Sequence, residues 1–322
     1  MPCFARLYRL NHMSVFSQSK PYKIVAGDAA QGKLSHAYLL VCPDARNLRS
    51  FLKELAVLVL GADERAGGLI EREMYADCIV LPAPGAKFTV ADAKNVSDEC
   101  YIKPVEGDKK LFVLDGVQDM NASAQNKLLK VLEEPPANVC FLLGSVNDFA
   151  VLPTIKSRAK RLDLFTFADA EIEKYIRAAY PHRKDAAEIA AVSGGILGRA
   201  QELAEGGDLG AAAEEAALFA MNLSVSSAIG AARKYADKEK IGGFLSVLKL
   251  VYRDILMLKL GRSNLLLSGG QEKLLERAAA RYSAAALVGA QEKISAAERD
   301  IKFNANLASC LETLFIGILE GR

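Results

Sequence analysis

Five short apolar runs, at residues 37–41, 77–81, 111–114, 139–143 and 161–165, constrain what this chain can fold into more than any other feature. Most are continuous in Val, Leu, Ile or Phe rather than alternating with polar residues. Such runs fit strands buried on both faces of a parallel sheet, and parallel neighbours must be joined by long crossovers, usually helices. The stretches between the runs can supply those helices. Between the third and fourth runs, Asn121 can cap a helix, Ala124, Leu128 and Leu132 share one face at four-residue spacing, and Pro135-Pro136 ends it. An α/β layer with a parallel sheet flanked by helices follows.

After about Phe167 the strand-like runs vanish, and Ala, Leu and Glu at helical spacing take over, as in residues 170–179 and 185–192. Gly-rich breaks at 193–195 and 205–208 punctuate this half, and the second separates a short helical unit from a longer array. At about 150 residues per domain, 322 residues make two domains or three small ones. The expected division is an α/β module over residues 1–165, a small helical unit over 166–207 and an all-α domain over 208–322. In the last of these, Phe244, Val247, Leu248, Val251, Ile255 and Leu258 recur every three or four residues, too apolar for an exposed face. That helix must be packed by its own domain or by a partner subunit.

Charge and cysteine usage exclude several classes. Lys plus Arg number 41 against 39 Asp plus Glu, a net charge of +2, so the chain does not grip nucleic acid by overall charge. The cysteines, at 3, 42, 78, 100, 140 and 310, lack the spacing of a zinc knuckle or redox pair and read as reduced, mostly buried thiols. The three histidines, 12, 36 and 182, are scattered, so no metal cluster and no Ser-His-Asp or Cys-His set is expected. Neither a membrane-spanning run nor a signal peptide is indicated, which makes the cytoplasm the expected location and Met13 an alternative start to Met1.

A parallel sheet offers the turn after its first strand, and the helix start beyond it, as an anion site. A phosphate-cradling P-loop there needs G-x-x-x-x-G-K-[ST]: glycines for close backbone approach, Lys for charge, a hydroxyl for Mg²⁺. This chain fails at all four positions, with Cys42 and Asn47 for the glycines, Leu48 for the Lys and Arg49 for the hydroxyl. Asp115 ends the third apolar run as a P-loop site's acid would, but Gly116 follows it with no second carboxylate. Asp115 is therefore expected to cap the strand end or the next turn. Weak anion holding by Arg46 and Arg49 at the helix start remains open.

Residues 121–136, NASAQNKLLKVLEEPP, strongly resemble the A-x-N-x-L-L-K-x-L-E-E-P-P signature of bacterial clamp-loader AAA+ subunits. Residues 32–40, GKLSHAYLL, are similar to that family's G-x-L-x-H-A-x-L-L opening, and Ser157-Arg158-Ala159 stands where the family has Ser-Arg-Cys. Weaker likenesses are SGGILGRA at 193–200, to the family's lid segment, and residues 304–314, to the last collar helix. The failed P-loop resembles the delta-prime type of DNA polymerase III subunit rather than the motor type. The chain departs from the family pattern in lacking the four-cysteine zinc module expected between about Gly61 and Asp77, and in Ala159.

The resemblance implies an AAA+ module, a lid and an oligomerising collar, in a subunit that is not an enzyme by itself and needs no bound cofactor. Its partners are then gamma/tau-type motor subunits, a delta subunit, the sliding clamp and, through the assembly, primed DNA. Arg158, supported by Ser157, is implied as an arginine finger reaching a neighbour's ATP site, a role worth about 10³–10⁵ in rate or roughly 4–7 kcal/mol. Two rivals stand beside this reading. One is a divergent AAA+ ATPase of replication or repair that still binds nucleotide; the other is a DNA-binding module using the basic cluster 156–161. Arg199 resembles a lid sensor but is expected to stabilise a helix, and His36 to pack at the start of the first strand.

Overall fold

The computed structural model describes residues 15–206, 209–237, 241–268, 271–302 and 306–321. Cys3, His12, Met1, Met13, the 207/208 boundary and the start of the 304–314 likeness lie outside the described residues. The chain divides into two compact units. Residues up to Phe167, with Ile196–Gly198, form the first; 168–195 and 199–322 form the second.

The first unit runs α1 (Lys20–Ala30), β1 (Ala37–Val41), α2 (Leu48–Leu60), α3 (Glu64–Glu71), β2 (Cys78–Leu81), α4 (Val90–Glu99), β3 (Lys110–Leu114), α5 (Ala122–Glu133), β4 (Val139–Ser145), α6 (Pro153–Lys156) and β5 (Lys160–Asp163). All five strands are parallel, in the order β2-β3-β4-β1-β5, so the expected α/β layer with a parallel sheet flanked by helices is present. The apolar runs became these strands with ends moved by one or two residues, and β1 has the bounds expected of it. Tyr38 pairs in register with Leu142 of β4 on one side and Lys160 of β5 on the other.

One face of the sheet buries Leu39, Phe112, Leu114, Phe141 and Leu143 against Ala93 and Val96 of α4 and Ala124, Leu128 and Leu132 of α5. The rings of Phe112 and Phe141 stack with centroids 5.5 Å apart. The other face carries α2, and Gly144 of β4 lets it lie close: a Cβ there would fall 2.5 Å from Leu52 Cδ1. α5 forms as its sequence dictates. The Asn121 side chain accepts the Ala124 N–H at 2.9 Å, and Glu134, before Pro135, leaves the helical region at φ −127°, ψ 69°.

The second unit is helical throughout its described residues: α7 (Asp169–Ala179), α8 (Ala186–Ser193), most of α9 (Leu197–Glu205), α10 (Leu209–Asn222), α11 (Val225–Tyr235), α12 (Ile241–Lys259), α13 (Glu272–Ala279), α14 (Ala284–Lys302) and α15 (Leu307–Glu320). α12 is the apolar helix noted above. It buries Leu245, Leu248, Val251 and Ile255 and packs against α10, α13 and α14, so its own unit covers it.

Removing a ring from the sheet core should cost far more than removing one from the surface. Phe112→Ala is expected to destabilise the chain by about 3–5 kcal/mol, whereas Phe165, 71% exposed, should change stability by no more than about 0.5 kcal/mol as Phe165→Ala. Urea unfolding of both variants checks this, and equal losses would contradict the packing described.

Candidate functional site

The turn after β1 is where a parallel sheet presents an anion site, and in this chain side chains fill it. Asp44 is 4% exposed. Its Oδ1 accepts the backbone N–H of Asn47 at 3.1 Å, and its Oδ2 accepts Asn47 Nδ2 at 2.8 Å and the Gly198 N–H at 2.8 Å. Asn47 is the N-cap of α2, and Gly198 is the second residue of α9. Of the residues at the failed P-loop positions, Cys42, Asn47 and Leu48 are buried. Burial pushes the Cys42 thiol up to about 12, so it is inert as a nucleophile.

Arg49, one residue into α2, turns to the carboxylates. Its Nε and one terminal nitrogen grip Glu73 at 2.7 and 2.6 Å, and its other terminal nitrogen lies 3.5 Å from Asp115. Lys53 adds a second cation 3.5 Å from Glu73. Asp115 is therefore not the simple cap expected of it, because its carboxylate faces a guanidinium. Arg49, one of the two arginines considered for weak anion holding, is paired with carboxylates. The two acids respond in opposite ways. The hydrogen bonds from Arg49 hold Glu73 below the ordinary carboxylate range, while burial raises Asp115 above it, partly offset by Arg49.

Ser157 and Arg158 follow α6, a single turn started by Pro153. Arg158 Nη1 donates to the Thr154 carbonyl at 2.7 Å and to Ser157 Oγ at 3.3 Å, while Nη2 pairs with Glu133 at the end of α5. The arginine is half-buried, with 30% of its side chain exposed. Gln125, buried within α5, fastens the approach to this turn: its Nε2 donates to the Met120 and Ala150 carbonyls at 3.0 and 2.9 Å, and its Oε1 accepts the Leu152 N–H at 2.8 Å. Sequence reasoning singled out Ser157 and Arg158 but passed over Asp44, Glu73, Gln125 and Glu133. Of these, Asp44 lay within the failed P-loop stretch and Gln125 and Glu133 within the 121–136 signature, while no pattern marked Glu73.

The remaining candidates have quieter surroundings. The basic cluster is laced with carboxylates: Lys156 to Asp148 at 3.8 Å, Lys160 to Asp28 at 2.6 Å, and Arg161 to both Asp163, at 2.9 Å, and Asp148. Arg199 lies 3.5 Å from Glu298 of α14, which fits the helix-stabilising role expected of it. The His36 carbonyl accepts the Phe141 N–H at 2.8 Å, at the entry to β1. Cys42, Cys78, Cys100 and Cys140 are buried free thiols and Cys310 a half-buried one. Among the described residues no His/Cys/Asp/Glu group could hold a metal ion, and no helix is long and apolar enough to cross a membrane.

Residues 17–168 match the family described as DNA polymerase III, delta subunit. The matched stretch, 152 of the chain's 322 residues, lies almost wholly in the α/β unit. The chain is 32% identical over 107 residues to the tau/gamma subunit of Haemophilus influenzae DNA polymerase III, a stretch covering 33% of this chain and 15% of that protein. It is 30% identical over 149 residues to the gamma/tau subunit of Mycobacterium bovis, covering 42% of this chain and 25% of the relative. The matches therefore span a quarter or less of those relatives' length. Among solved structures, a gamma subunit-related protein of Thermotoga maritima aligns over 98% of this chain and 99% of its own, at 17% identity and a TM-score of 0.42. The clamp loader delta protein of Bacillus subtilis aligns over 92% and 98%, at 14% identity and 0.36.

The carboxylates of the α/β unit carry a pH signature. Glu73, held low by Arg49, contributes stability that is present above its unfolded value and lost as pH falls through its folded one. Asp115, raised by burial, has the opposite sign: it favours the folded state at low pH, and that contribution is lost as pH rises through its folded value. Free Asp and Glu titrate near about 3.9 and 4.3; here Asp115 should titrate above the free Asp value and Glu73 below the free Glu value. Side-chain carbonyl NMR titration reads both, and a Glu73 that is not lowered would contradict the Arg49 geometry.

Proposed function

We propose that this chain is the delta-prime type of clamp-loader subunit: it neither binds nor hydrolyses ATP itself, and it supplies Arg158 to the nucleotide site of a neighbouring motor subunit. The observation that carries this reading is the engagement of Arg49 with Asp115 and Glu73. In a working P-loop module, the hydroxyl at that position and the acid at the end of the third strand hold Mg²⁺ between them. Here a guanidinium carried on the chain neutralises the acid.

Arg158 suits transfer between subunits. Its guanidinium presents a planar fork of donors that matches phosphate oxygens. Thr154 and Ser157 take one terminal nitrogen, and the remaining partner, Glu133, is a half-exposed carboxylate. Exposed pairs of this kind are worth only about 0–1 kcal/mol, so a neighbour's phosphates can take Arg158 from Glu133 at little cost. Charge building on the transferred phosphoryl group is then stabilised from across the interface.

The partners in this reading are gamma/tau-type motor subunits, a delta subunit, the sliding clamp and primed DNA held by the assembly, in the cytoplasm. Residues 166–207 serve as lid and 208–322 as oligomerising collar. No resident cofactor or metal is required. The carboxylates beside Lys156, Lys160 and Arg161 favour this reading over direct gripping of DNA by that cluster.

Arg158→Ala in a reconstituted loader tests the proposal. Assembly by gel filtration should be unchanged, while DNA- and clamp-stimulated ATP turnover falls by about 10³-fold or more. Arg158→Lys should not restore it, because a lysine cannot supply the bidentate fork. Unchanged turnover in Arg158→Ala would remove the trans role.

A further inference from the structure

The first turn of any helix carries backbone N–H groups with no partner inside the helix, together with the positive end of the helix dipole. Two such starts, those of α2 and α9, point N–H groups at one place in this chain. Two converging starts make a stronger demand for negative charge than either would alone. In a nucleotide-binding module a phosphate meets that demand. We infer that Asp44 is a built-in anion: its carboxylate permanently occupies the position between the two helix starts that a bound phosphate would otherwise fill.

Three features support the assignment independently of sequence resemblance. Asp44 is buried, and its two oxygens accept from Asn47 N, Asn47 Nδ2 and Gly198 N at 3.1, 2.8 and 2.8 Å, which is the pattern of a ligand in an anion site. The chain is shaped around that carboxylate: a Cβ on Gly198 would fall 2.3 Å from Asp44 Oδ1 and 2.9 Å from Arg46 Cβ. Gly198 has an ordinary backbone angle, so its lack of a side chain serves the close approach and not the turn. Finally, Ile196–Gly198 groups with the α/β unit although the residues on either side of it group with the helical one, and the Gly198–Asp44 hydrogen bond is one tie that joins it there.

The consequence differs from simple loss of a binding site. A phosphate comes and goes, and a module that depends on one changes when it leaves. A carboxylate carried on the turn after β1 cannot leave, so this module keeps one anion-filled arrangement throughout any cycle its neighbours perform. The inference rests on the reading above only in taking the turn to be free of nucleotide.

Emptying the site tests it. Asp44→Ala, made in the full chain, removes the carboxylate that three donors share and leaves room for a small anion; its thermal midpoint should fall by roughly 5–10 °C. Formate or acetate should then recover part of the loss, relative to chloride at equal ionic strength, while leaving the native chain unmoved. Should Asp44→Ala not fold alone, formate-dependent recovery of folding is the same readout. Asp44→Asn keeps the shape and one acceptor, so it should lie between the two and show no formate response. Native-like stability in either variant, or a loss in Asp44→Ala that formate recovers no better than chloride does, would overturn the assignment. Saturable ATP binding by the native chain would instead overturn the nucleotide-free reading and leave the rescue result to be judged separately.

Discussion

The turn after β1 imposes the constraint on which the rest of the α/β unit depends. A parallel sheet sends every strand in one direction and starts its crossover helices at one edge, so backbone N–H groups and helix dipoles gather there. Something negative has to answer them. Asp44 supplies that charge at the helix starts, while Arg49 supplies positive charge to the acid ending β3. In the proposed reading each side chain takes up a demand that nucleotide and metal would otherwise meet, beside a sheet with Phe112 and Phe141 stacked at its centre.

In the proposed reading the module acts on its neighbours through the α5–α6 region. Gln125 links the signature helix to the segment leading into α6, and Glu133 at the other end of the same helix meets Arg158. The arginine is thus held from a rigid element on one side and by the Thr154 carbonyl on the other. Buried amide contacts set its position, and a weak surface pair holds its charged end, so Arg158 is placed without being trapped.

How much of this could be read from the sequence follows from how local each determinant is. β1 has the expected bounds because it is buried between two neighbours and its apolar run stops where the burial stops. β5 sits at the sheet edge, with Lys160 and Arg161 exposed, and its apolar pattern ran past the hydrogen-bonded strand to Phe165, which lies at the surface. α5 was legible in its cap, its face and its stop, since all three are set within sixteen consecutive residues. The site was legible only where a motif marked it, at Ser157 and Arg158. Asp44 meets Gly198 across 154 residues, and Arg49 meets Glu73 across 24. No spacing rule links such pairs, and a turn without P-loop glycines does not reveal which side chains meet there.

Equilibrium dialysis of the full chain against Mg-ATP measures the central claim most directly, namely that the chain's own side chains occupy the place of nucleotide and metal. The account predicts no saturable binding up to millimolar nucleotide. One nucleotide bound per chain, with a defined dissociation constant, would contradict it.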